Sequence, residues 1–225
     1  MKTEKKNPSS AAEPIDEKRS LEIISQMIAD TAQHIEDQSG KYFLVWGYTT
    51  VAVSLFEYFA QLYGCNMALC VWAWWLIPLI GGVATLWMVA HQNKLFGVRP
   101  KSYLDRSIGA VWGVFGFSSL FAMVAAVVYG CSMLFLIVML MGMGTVITGI
   151  ICRHRALTTC GAVAMLLSLI FPIKHIVLRD MDADAVRSLG DALLLYSDIL
   201  IFAAIFLVMM VIPGHILQHR KLNKQ

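Results

Sequence analysis

A chain of 225 residues with 58% hydrophobic and 15% charged side chains departs from soluble domains, where about 25% of residues are charged. Mean hydropathy is +0.65, and 8 of the 15 acidic and 6 of the 18 basic residues fall before Tyr42. These figures exclude a soluble enzyme, a disulfide-dense secreted module and a disordered protein.

Residues 1–14 are polar, with Lys, Ser, Asn and two prolines, and are expected to be a disordered tail. No apolar h-region follows the lysines, so a signal peptide is not expected. Residues 15–40 turn helical: Leu21, Ile24, Ile28 and Ile35 recur at helical spacing, with Ile23 and Met27 beside them. Asp16 and Glu17 suit a helix start, and Ser39-Gly40 is expected to end the helix. It is amphipathic and too polar to span. After Arg19, acids (Glu22, Asp30, Glu36, Asp37) outnumber bases on the polar face, whereas a lipid-binding helix usually presents a basic one. The apolar face of Leu21, Ile24, Ile28 and Ile35 is therefore expected to dock a cytoplasmic protein partner.

Six apolar stretches follow, at 42–63, 67–90, 108–129, 132–152, 156–176 and 191–212, each near the ~20 residues that cross a bilayer. Pro78 and Pro172 are expected to kink the second and fifth. Pro213-Gly214 is expected to end the sixth, leaving 214–225 as a basic tail. The expected fold is all-α: an integral membrane six-helix bundle built from two-span hairpins, preceded by the amphipathic helix. Of the 18 Lys and Arg residues, 15 lie in the N-terminal segment, the second and fourth connections and the tail. That bias puts both termini in the cytoplasm of a bacterial inner membrane. Trp and Tyr gather near the span ends, as an interfacial belt requires.

Val45-Trp46-Gly47 recurs as Val111-Trp112-Gly113, and Tyr63-Gly64-Cys65 as Tyr129-Gly130-Cys131, at one offset of 66 residues. This suggests a duplicated hairpin in parallel orientation, unlike the inverted repeats of many transporters. Cys65 and Cys131 could pair across equivalent outer turns, with Cys70 as a competitor; buried free thiols are commoner in spans. Gly109/Gly113, Gly144/Thr148 and Thr145/Gly149 read as small-residue packing faces. Packing within one chain is preferred over a homo-oligomer.

Ser20-Leu21-Glu22-Ile23-Ile24, Met27-Ile28-Ala29-Asp30-Thr31, Gly40 and Trp46-Gly47 resemble the uncharacterised multi-span (six-helix) inner-membrane proteins common in Bacteroidetes. The likeness is clearest from Ser20 to Tyr58. It is compatible with the six-span plan beyond that stretch and carries no activity or catalytic residue; a winged-helix regulator encoded beside such proteins hints at a partner.

No nucleotide loop, nucleophile elbow or zinc-protease helix is present. Asp180, Asp182, Asp184, Ser188 and Asp191 match oxygen-ligand positions of a calcium loop. Ala185 stands where the turn needs glycine, and Asp191 where a bidentate Glu is usual, so a solvated acidic loop is preferred. His215 and His219 share a helix face without a third ligand, so a basic interfacial tail is preferred there. No cofactor and no direct nucleic-acid contact are expected.

Glu57 and Asp198 are the only acids deep within spans, where charge is costly and signals function. Counted from the span ends, both lie about 10 Å below the outer surface. Gly47, Thr50, Ser54, Glu57, Gln61 and Gly64 follow a spacing of about 3.5 residues, an inward-facing seam. Both carboxyls are expected in the bundle interior on adjacent helices, with Lys174 and His175 as counter-groups. The competing expectation is that each acid bonds a hydroxyl such as Ser54 or Ser197 and only fixes packing. A non-enzymatic scaffold, sensor or regulator is the favoured function. A transporter or channel for a small solute, ion or proton, using Glu57 and Asp198, is the alternative.

Overall fold

The computed structural model describes residues 17–64, 72–96, 103–129, 132–178 and 189–222. Every regular element among them is helical: α1 (Glu17–Leu62), α2 (Leu76–Phe96), α3 (Tyr103–Tyr129), α4 (Met133–Ile151), α5 (Arg155–Ser168), α6 (Ile170–Leu178), α7 (Leu189–Phe206), a π-helical turn (Leu207–Val211) and α8 (Ile212–Leu222). Among the described residues five stretches are long and apolar enough to cross a membrane: Ser39–Leu62, Tyr103–Ala125, Met133–Ile151, Arg155–Ile176 and Ser197–His219. The chain is thus a helical protein of membrane type. The expected second span, 67–90, is not among the five. Its first residues lie outside those described, and the last turns of α2 carry His91, Gln92, Asn93 and Lys94.

Ser39-Gly40 does not end a helix. α1 runs unbroken for 46 residues, about 69 Å at 1.5 Å per residue. The reason lies in packing. A Cβ at Gly40 would stand 3.0 Å from Leu217 Cβ, one at Gly47 2.9 Å from Val211 Cγ2, and one at Gly214 2.8 Å from Leu44 Cγ. These glycines let α1 and the end of the chain lie together, antiparallel. The ~1 kcal/mol that an interior glycine costs is set against that close contact.

Pro213-Gly214 likewise does not stop the last span; the helix continues to Leu222. Pro213 has no N–H for the carbonyl four residues back. The chain adapts through the π turn, in which the Ile212 N–H reaches the Leu207 carbonyl. Pro78 and Pro172 each stand in the first turn of a helix, α2 and α6, just after an interruption of the helical run. Before Pro78 the chain turns at Trp74-Trp75, and before Pro172 it breaks at Leu169, whose N–H bonds the Leu166 carbonyl at 3.2 Å.

The core joins Phe43 of α1, Met141 of α4, Leu157 of α5, Phe202 of α7 and Met209 of the π turn, among others. Among the described residues α2 and α3 place no fully buried side chain in that cluster, and only 6% of the α3 span is buried; Trp112 and Phe115 of α3 pack against the cluster from outside, Trp112 edge-on to Phe43. α2 is held to α1 by Trp46, whose ring lies against Gly81 and whose indole N–H donates to Thr85 Oγ1 at 3.1 Å. Trp112 of α3 sits in the same way near Gly144 of α4. A Cβ at Gly109 or Gly113 would meet nothing within 4 Å among the described residues. Their expected packing within the chain is not made among the described residues, where α3 meets α4 through the face of Trp112.

α4 and α5 form the tightest pair. A Cβ at Gly149 would lie 2.6 Å from Thr158 N, and one at Gly161 2.9 Å from Val146 N. Their connection is a Schellman turn: His154 N–H bonds the Gly149 carbonyl at 2.8 Å and Arg153 N–H the Ile150 carbonyl at 3.1 Å. Arg153 takes the left-handed position, with φ +53°.

Candidate functional site

The C-terminal half of α1 carries the seam of polar residues. Gly47, Thr50, Ser54 and Glu57 are buried, Gln61 is half-buried and Gly64 is exposed at the end of the helix. Glu57 is 1% exposed. Its Oε1 accepts from Gln61 Nε2 at 2.9 Å, while Oε2 has no hydrogen-bond partner. One turn further in, Ser54 Oγ and then Thr50 Oγ1 also lack partners, at 0% and 1% exposure. The seam closes at Gly47, against Met210 and Val211.

α7 packs against α1, so Glu57 and Asp198 are on adjacent helices. They are not both interior. The Asp198 side chain is 39% exposed and takes an ion pair from Lys174, Nζ to Oδ1 at 2.7 Å. Lys174 Nζ also donates to Ser197 Oγ at 2.7 Å. Lys174 thus answers Asp198, across the α6–α7 pair, and neutralises it locally. The side chain leans toward that lysine and toward the bundle surface, which is why it leaves the interior. His175, one residue on, is exposed and stands outside this pair.

At the other end of α1, Leu21 is 67%, Ile24 52% and Met27 65% exposed. Ile28 and Ile35 follow in the same helix, and their side chains lie outside the described residues. Asp180, Asp182 and Asp184 are outside them as well, as are Cys65 and Cys131, while Asp191 falls in the first turn of α7. Among the described residues no group of three or more His, Cys, Asp or Glu side chains could hold a metal ion. His215 instead meets the Tyr48 hydroxyl through Nε2 at 2.6 Å. That contact joins residues 167 apart, and no spacing in the sequence announces it.

Comparison with family models, with curated proteins and with solved structures finds no match to this chain.

Proposed function

We propose that the protein is a non-enzymatic membrane docking protein, a scaffold or regulator whose bundle holds out the N-terminal end of α1 to a cytoplasmic protein partner. One observation carries this reading: α1 continues without a break from the exposed Leu21, Ile24 and Met27 into the span Ser39–Leu62. The 22 residues ahead of that span amount to about 33 Å of helix. They leave the bilayer along the axis of the span instead of turning to lie on its surface. Apolar side chains held in water favour burial by about 25 cal/mol per Å² covered, and a protein surface can supply that cover.

The finer plan belongs to the same reading: six spans arranged as hairpins, an inner-membrane location and both termini in the cytoplasm. The Lys and Arg distribution supports it. A helix fixed in the bundle at Gly40 and Gly47 is also a rigid lever, so a partner bound at Leu21 is mechanically joined to the membrane domain.

The test is affinity purification of the full chain in mild detergent, with co-purifying proteins identified by mass spectrometry. Ile24→Asp should remove a specific partner while the bundle still elutes as a folded species. Equal recovery of that partner with the variant would refute docking by this face.

A further inference from the structure

The buried hydroxyls of this protein divide into two groups. Thr145, Thr148 and Ser168 are each 0% exposed. Each donates to a carbonyl of its own helix: to Met141 O at 2.9 Å, to Gly144 O at 2.7 Å and to Met165 O at 2.6 Å. That back-bond is the usual way a buried Ser or Thr satisfies itself in a helix. Thr50 and Ser54 are buried to the same degree, yet neither makes it, nor any other hydrogen bond. The carbonyls of Trp46 and Thr50 stand four residues behind them, so their hydroxyls are left unbonded although an acceptor is at hand. Glu57 Oε2, one turn outward, is unbonded too. Each such buried orphan destabilises the fold, because its hydration is lost and nothing replaces it. Three in a row on one helix face is a heavy load for a fold, unless something occupies the row.

We propose that Glu57, Ser54 and Thr50 form a binding site for a single monovalent cation, a proton or an alkali-metal ion, centred on Glu57 Oε2. Thr50, Ser54 and Glu57 follow one another at one-turn spacing on one face of α1, and no direct hydrogen bond joins Glu57 Oε2 to Ser54 Oγ. A proton on Oε2 neutralises the buried carboxylate, whose charge is costly in an apolar medium. An alkali-metal ion takes the same oxygens as hard ligands. Charge selects a single positive unit, since one carboxylate offsets one charge and a divalent ion would leave an excess in a medium that penalises it. Gln61 holds the other carboxyl oxygen at 2.9 Å, which fixes Oε2 toward the row. The row is closed on the inner side by Met210 and Val211 at Gly47, so the cation would enter from the outer end.

Few other charges bear on the site. On α7, Asp198 is ion-paired with Lys174, and Asp191 and Tyr196 lie further toward the outer end. Tyr58 neighbours Glu57 on α1, and Tyr129 ends α3 on the outer side. His91 and Lys94 of α2, Tyr103, Asp105 and Arg106 of α3, His215, His219, Arg220 and Lys221 of α8, and Lys41, Tyr42 and Tyr48 of α1 all belong to the inner half. The π turn has no titratable group. This assignment does not rest on the docking reading, which concerns the opposite end of α1.

The test uses the purified full chain in mild detergent and follows thermal unfolding in two arms. In one, sodium chloride replaces choline chloride at constant ionic strength; in the other, pH is lowered in sodium-free buffer. A ligand bound only to the folded state raises the midpoint with its concentration. Wild type should gain midpoint in the sodium arm if the occupant is an alkali-metal ion, or in the pH arm if it is a proton. Glu57→Gln should remove that gain. Ser54→Ala should raise the half-saturating concentration about tenfold, the equivalent of one lost contact, and Thr148→Ala should leave it unchanged. A wild type that responds in neither arm, or a response that Glu57→Gln retains, overturns the proposal. Should Glu57→Gln fail to fold, wild-type half-saturation in Ser54→Ala overturns it instead.

Discussion

Ser168 in α5 and Ser54 in α1 are the same residue at the same burial, 0% exposed in apolar helices. Ser168 bonds a carbonyl of its own helix at 2.6 Å, while Ser54 bonds nothing. The contrast extends to their surroundings. α4 and α5 meet backbone to backbone over Gly142, Gly149 and Gly161, and the hydroxyls of Thr145, Thr148 and Ser168 are satisfied locally. In the C-terminal half of α1, a carboxyl and two hydroxyls are buried with bonding capacity unused. Polarity inside a span is therefore not evidence of function by itself. A polar group that closes on its own backbone serves packing, and one left open points to a ligand.

The largest effect should fall on the packing side of that contrast. Gly149→Val puts a side chain where even a Cβ would lie 2.6 Å from Thr158 N, and overpacking of this kind costs about 3 kcal/mol. Gly113→Val, where a Cβ would meet nothing within 4 Å among the described residues, should stay within about 0.5 kcal/mol. Thermal unfolding in detergent measures both; equal losses would mean that a second copy covers the α3 face. A middle effect is expected at the ion pair. Lys174→Met should cost about 1 kcal/mol, because Asp198 is 39% exposed and solvent screens the pair. Adding Asp198→Asn should restore most of that loss, and a loss that persists in the double variant would mean that the Lys174 bond to Ser197 Oγ outweighs the ion pair. The smallest effect is local. Arg153→Gly should gain about 1 kcal/mol or less by relieving the left-handed position at φ +53°, and no gain in midpoint would show that the arginine side chain makes good the strain.

Much of this contrast is legible from residues alone. The apolar runs announce membrane-length helices because bilayer thickness sets their length. The spacing of Thr50, Ser54 and Glu57 announces a buried face because helix periodicity admits no other common side. Lys174 can be named as a counter-group of Asp198 because both sit near the outer ends of their spans. The rest depends on contacts distant in sequence. Ser39-Gly40 and Pro213-Gly214 carry the usual signals of helix ends, yet both lie inside helices. Gly40 and Gly214 face each other across a close contact, and a π turn absorbs Pro213. Gly109 and Gly149 look alike in sequence, yet among the described residues only Gly149 meets a neighbour. No local pattern reports whether a hydroxyl has found its own carbonyl, and on that the site turns.

The most direct measurement is the change in unfolding free energy for Ser168→Ala and Ser54→Ala, made in the same alkaline, sodium-free detergent buffer. The two variants remove the same atom from sites of equal burial. Ser168→Ala should lose about 0.6 kcal/mol, the typical worth of a hydrogen bond in a membrane bundle. Ser54→Ala should instead gain about 1 kcal/mol, because an unsatisfied buried hydroxyl has been removed. Equal losses in the two variants would contradict the account, for they would show that Ser54 is as well bonded in the protein as Ser168.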